Sequence, residues 1–332
     1  MSYQNGEYSM DAKKLISQIL QERKIENVFF VACGGSLTDL YNGHFFLQCE
    51  SARIRTFWMN ANEFLHALPK AFSANSLVIA CSHSGNTAET VQAAQFAQEH
   101  GAYVVAMTFN AGSKLDKTMP GYTTLVYQWG DDVSSKEKPE GLTLALLNEL
   151  LHQTEPDYAL YDVMQDGLDK LDGILAAACK KVRNAAWLFA EKYHDVPMLY
   201  ILGSGAAFSQ AYAMSICSLM EMQWMDCCYI HSGEYFHGPF EVTNGKTPYI
   251  LMKSCGKTRA LDERAGKFLK QYAGCYEVID AAELGLETLD ERVAEYFNCP
   301  LFYKMACKYR DALDYARRHP LDMRRYMGVV EY

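Results

Sequence analysis

No apolar run in this chain of 332 residues approaches the length that crosses a bilayer. No two of its eleven cysteines are spaced as CxxC, and the one close pair, Cys227 and Cys228, is adjacent. Adjacent cysteines rarely bridge, and no metal-like spacing of ligands occurs. The pattern reads as buried free thiols in a reducing compartment, with no disulfide framework and no metal site. Positive charge is also in short supply: 31 Lys and Arg against 40 Asp and Glu leave a formal charge of −9. That balance argues against a nucleic-acid or anionic-membrane partner. The opening MSYQNGEYSMDAKKL lacks a basic segment followed by an apolar one, as a secretory leader would have. The expectation is a soluble, cytoplasmic protein. With 49% hydrophobic residues it has ample material for a large core in two lobes.

What is present is an alternation. Apolar, strand-like runs lie at 27–33, 53–59, 76–82, 102–108 and 123–129, with helical patterns between them. One such pattern, TAETVQAAQFAQEHGA, stops at Gly101. The second half repeats the scheme: MLYILGSG (198–205) feeds a long helix over 206–223, and PYILMKS (248–254) and CYEVIDA (275–281) follow. Short apolar strands alternating with helices predict an α/β fold with mostly parallel sheets. The halves align at a constant offset that matches Gly85 with Gly256 and Thr87 with Thr258. A tandem duplication follows, with domains at 10–155 and 196–332 joined by a helical connector over 156–195.

Two strand-to-helix turns carry hydroxyls. CSHSGNT (81–87) offers Ser82, Ser84 and Thr87, with Gly85 to turn the backbone and a helix N-terminus beyond. CGGS (33–36) offers Gly35 and Ser36. In a parallel sheet both lie at one edge, where free N–H groups and hydroxyls suit an oxyanion such as phosphate. The bland alternative is a Ser/Thr helix cap. In the second half GSGAAF keeps only Ser204, and SCGKT lacks the P-loop's first glycine, since position 251 is Leu. Neither half completes GxGxxG.

The stretch SLMEMQWMDCCYIHSGEYFHGPFE (218–241) gathers the acid–base groups. Glu221 sits among Met220, Met222 and Trp224, where burial would make it a candidate general base. His237 precedes Gly238-Pro239 in a stiff loop and is the candidate acid. Glu234 is placed to cap a short helix running into His237, Glu241 to orient its ring, and His231 to make a structural hydrogen bond.

SHSGNTAET resembles the phosphosugar-binding signature of SIS (sugar isomerase) domains, and the tandem repeat resembles their double-domain arrangement. VACGGS, MEMQW, IHSGEYFHGPFE and RRYMGVVEY are similar to a narrower branch, the deglycases of 6-phosphorylated Amadori compounds. Within it the likeness is greatest to those acting on 6-phosphofructose-aspartate, then on fructoselysine 6-phosphate. The resemblance covers nearly the whole chain. It implies a three-layer, flavodoxin-like or Rossmann-like sandwich in each domain, with the 6-phosphate on Ser36, Ser82, Ser84 and Thr87. It further implies Glu221 as base and His237 as acid, and a homodimer that shares its active sites. Gly35, His83, Gly85, Asn86, Glu137, Glu234 and Tyr332 are further candidates for substrate contact.

The chain departs from the related glucosamine-6-phosphate synthases in lacking an N-terminal cysteine nucleophile, room for a glutaminase domain, and a tail lysine for a Schiff base. The implied chemistry needs no cofactor. Lys136, Lys138, Arg324 and Arg325 are candidate cations for the amino acid's carboxylates. Two other readings stay open: an isomerase or deaminase of glucosamine 6-phosphate, and a sugar-phosphate sensor without catalysis.

Overall fold

The computed structural model describes residues 11–117 and 123–331. The chain divides into two compact units, 1–165 and 166–332. In the first, strands β1 (Asn27–Ala32), β2 (Arg55–Asn60), β3 (Ser76–Cys81), β4 (Tyr103–Thr108) and β5 (Thr123–Val126) form one parallel sheet in the order β2-β1-β3-β4-β5. β1 and β3 are buried along their whole length, as strands covered by helices on both faces must be. The edge strands β2 and β5 are only half-buried. One face packs a ring cluster, with Phe29 stacked on Phe57 at 4.5 Å and Phe64 and Phe72 edge-on to Phe29.

The second unit opens with the helix Tyr161–Tyr193, which begins in the last residues of the first. Its sheet, β6 (Leu199–Gly203), β7 (Cys227–His231), β8 (Tyr249–Lys253) and β9 (Tyr276–Asp280), is also parallel, ordered β7-β6-β8-β9. That is the order of the first four strands of the other unit, so the repeat read from the sequence is a repeat of topology. Tyr235, Tyr249, Leu251 and Leu269 build its core.

Two features differ from the expectation. β7 was not foreseen, because CCYIH is a short edge strand of mixed burial with no alternating pattern. The helix expected over 206–223 is broken in kind: Phe208–Ala213 is α-helical and Met214–Glu221 winds as a π-helix. Wider turns of this sort cluster at functional sites. The chain then leaves the helix through Trp224 at φ +52°, a left-handed conformation costly for a bulky residue.

Candidate active site

In both sheets the connections reverse direction beside the first strand, which opens a crevice at the carboxyl ends of β1 and β3, and of β6 and β8. In the first unit the two hydroxyl-bearing turns line it. The Ser36 hydroxyl accepts the His83 N–H at 3.1 Å, tying one turn to the other. Ser82 is buried; its hydroxyl pairs with that of Thr87 at 2.9 Å and accepts the Gly85 N–H at 3.1 Å. Ser84 accepts from the Asn86 N–H, and the Asn86 side chain bonds the Ser84 carbonyl and the Lys114 N–H.

Gly85 stands at φ +65°, and a Cβ there would fall 2.0 Å from the Ser113 hydroxyl. No other residue can make this turn without displacing Ser113. Thr87 precedes the helix Ala88–Glu99, yet no described side chain caps that helix. The Thr87 hydroxyl is turned to Ser82 instead, so the capping alternative does not hold. The first-turn N–H groups and their positive dipole end face the loop, as an anion site requires.

Around this loop lies a feature the sequence did not mark. The His83 ring stacks on Phe109 at 5.1 Å, meets Trp129 edge-on at 4.9 Å, and bonds the Tyr127 hydroxyl through Nδ1 at 2.9 Å. Burial holds the imidazole below its usual pKa. Deeper in, burial and then the neighbouring Glu140 push the Asp39 carboxyl well up.

The second unit's crevice has the same strands and a different filling. A Cβ on Gly205 would lie 2.5 Å from the Thr258 hydroxyl, and one on Gly256 would lie 2.3 Å from Glu295. Asp262 is fully buried in the first turn of the helix Arg259–Tyr272, accepting the Ser254 N–H at 2.9 Å and its hydroxyl at 2.5 Å. Glu295 accepts the Lys257 N–H and pairs with its ammonium at 3.0 Å. Two carboxylates accept these N–H groups in the second unit.

The acid–base candidates belong to this second unit. Glu221 closes the π-helix, half-buried, with Oε1 2.7 Å from Arg324 Nη2. The desolvation expected from its apolar neighbours is not what surrounds it, because Met220 and Trp224 are themselves 41% and 36% exposed. His237 is exposed on a run of turns, its N–H donating to the Glu234 carbonyl at 2.9 Å. Gly238 follows at φ +136° and leads into the 3-10 turn Pro239–Val242. The regular helix that Glu234 was to cap is absent here, and Glu234 serves the loop through its backbone. His231 behaves as expected: its Nδ1 accepts the Gly233 N–H at 3.0 Å, and its ring packs on Phe208.

Residues 22–119 match the SIS domain family. Over 315 residues, 95% of this chain and 95% of the relative, the sequence is 38% identical to fructosamine deglycase FrlB of Bacillus subtilis. The chain belongs to the SIS family, on its deglycase branch. Fructoselysine 6-phosphate deglycase of Escherichia coli is 26% identical over 327 residues, 96% of this chain and 91% of that one. A Salmonella typhimurium protein, crystallised as a candidate phosphosugar isomerase, superposes with a TM-score of 0.91 at 42% identity, covering 97% and 98% of the two chains.

Two of the remaining candidates in this SIS protein differ in place, Gly35 lying beside Ser36 and Glu137 apart from the turns. Gly35 is within the helix Gly34–Asp39, its carbonyl accepting the Thr38 hydroxyl. Glu137 is exposed at the end of a 3-10 turn, and the carboxylate of that segment that points inward is Glu140, 2% exposed. Tyr332 lies outside the described residues. The sequence offers Arg324 as a candidate cation for the substrate's carboxylates and not as the partner of Glu221, because a separation of about a hundred residues gives no local signal for the pair. Lys138 is buried at 6% exposure, unlike the exposed Lys136.

Proposed function

We propose that this protein is a deglycase of 6-phosphorylated Amadori compounds, converting a 6-phosphofructose–amino acid to glucose 6-phosphate and the free amino acid. Aspartate is the amino acid we assign. The observation that carries the reading is the 38% identity to a fructosamine deglycase along 95% of both chains. The hydroxyl-lined, uncapped crevice of the first unit supports it as a seat for the 6-phosphate, on Ser36, Ser82, Ser84 and Thr87.

The chemistry is proton transfer followed by hydrolysis. With the sugar ring open, Glu221 takes a proton from C1 while His237 protonates the C2 ketone oxygen, giving an enaminol. Return of the proton to C2 yields the C1 imine of glucose 6-phosphate. Water adds to C1, a proton passes to nitrogen, and the amine leaves. No net oxidation occurs, and each acid–base group contributes on the order of 10²–10⁴ in rate. The same proposal places the enzyme in the cytoplasm as a homodimer whose subunits share each site.

The test is a panel of 6-phosphofructose–amino acid adducts assayed for glucose 6-phosphate with a coupled dehydrogenase. Glu221→Gln and His237→Ala are each expected to lose at least about 10²-fold in kcat and still bind glucose 6-phosphate. Silence across the panel defeats the reading. Release of ammonia from glucosamine 6-phosphate as the preferred reaction would replace it with the deaminase.

A further inference from the structure

The Glu221 carboxylate is held by a cation from the chain's last segment. Arg324 Nη2 lies 2.7 Å from Glu221 Oε1, while Nη1 donates to the Leu321 and Met323 carbonyls at 2.7 and 2.9 Å. The guanidinium is thereby fixed by its own turn, and both side chains keep about a quarter of their surface exposed, at 22% and 24%. Four other cations of this unit are engaged elsewhere. Lys253 and Arg259 pair with Asp280 and Glu263, Arg310 with Asp311, and Arg325 lies over the Trp224 ring at 4.4 Å.

A base whose oxygen is bound to a guanidinium has fewer lone pairs free for a carbon-bound proton. The substrate itself supplies a competitor. Its nitrogen is bonded to C1, the carbon that Glu221 deprotonates. In an adduct of an α-amino acid the carboxylate carbon is three bonds from C1, roughly 4 Å away at most. In an adduct through a lysine ε-amino group it is seven bonds away, roughly 9 Å when extended. A guanidinium touching Glu221 is therefore within reach of the first carboxylate and poorly placed for the second. Its planar fork fits a carboxylate better than any other side chain does.

We infer that Arg324 reads the α-carboxylate of the substrate: it holds Glu221 in the empty site, and the incoming carboxylate takes Arg324 and frees the base. Arg324 then selects adducts made through an α-amino group over those made through a side-chain amine. The inference rests on the deglycase reading and deepens it.

The test uses the alanine and ethylamine adducts of 6-phosphofructose, which differ only by the carboxylate. The wild-type enzyme is expected to favour the alanine adduct in kcat/KM by about 10–100-fold, the worth of a charge-assisted pair. Arg324→Met is expected to erase that preference, mainly by slowing the alanine adduct, and Arg324→Lys to keep part of it. Thermal melting of each variant checks that it is folded. A binding measurement separates substrate contact from mere support of the loop. Inert Glu221→Gln should bind the alanine adduct more tightly than the ethylamine adduct, and adding Arg324→Met should equalise the two. Equal slowing of both adducts by Arg324→Met, or no change in either, overturns the inference while leaving the deglycase reading intact. Wild-type enzyme that consumes none of the panel overturns both.

Discussion

The two crevices share a topology and have opposite contents. In the first unit, the turns after β1 and β3 present Ser36, Ser82, Ser84 and Thr87 before a helix without a side-chain cap. In the second, Thr258 keeps the place of Thr87, but the carboxylates of Asp262 and Glu295 accept the Ser254 and Lys257 N–H groups there. A strand order can thus open a crevice, but only the side chains at its mouth decide whether an anion is welcome. The second copy carries buried carboxylates there, and the first carries hydroxyls alone.

The largest expected effect comes from setting a carboxylate in the first unit's turn. Thr87→Asp sets a carboxylate beside the proposed phosphate and should lower kcat/KM by roughly 10²–10³-fold, mostly through KM, since like-charge contact costs several kcal/mol. Unchanged kinetics in the coupled glucose 6-phosphate assay would break the comparison.

The units are also expected to differ in acid. In the first, burial depresses His44 to about 4, so its neutral form is favoured by folding. That contribution, on the order of 3 kcal/mol at about 1.4 per pKa unit, is present above pH 6.5 and lost as pH falls toward 4. In the second, burial pushes Asp280 up, but Arg259 and Lys253 overcome it and hold the carboxyl at about 2. Its share, about 2 kcal/mol, is full above pH 4 and fades as pH falls through 2. Urea unfolding as a function of pH should show the first slope vanish in His44→Gln and the second in Asp280→Asn.

The smallest effect sharpens the contrast between single serines. Ser204→Ala, which removes the hydroxyl's bond to the Thr258 carbonyl, should cost about 1 kcal/mol in urea and leave KM untouched. Ser36→Ala in the open crevice should instead raise KM several-fold.

Much of the fold was legible because buried parallel strands must be apolar on both faces: NVFFVA and SLVIAC announce β1 and β3 without context. The hydroxyls of SHSGNT were legible for a similar reason, since a glycine turn between strand and helix leaves few uses for three of them. β7 was not, because CCYIH is five residues of mixed burial with no apolar run. The π-helix ending at Glu221 was hidden too, for MSICSLME is as compatible with an ordinary α-helix.

The sequence by itself determined the two α/β repeats and the hydroxyl-bearing turns between strand and helix. All of these rest on neighbours within a few residues, where the helix and strand periods translate directly into geometry. Tertiary structure alone decided which turn meets buried carboxylates, that Thr87 bonds Ser82 and does not cap its helix, and that Arg324 meets Glu221 across 103 residues. Those outcomes depend on which distant side chain comes to rest against a given group, and no local pattern carries that information.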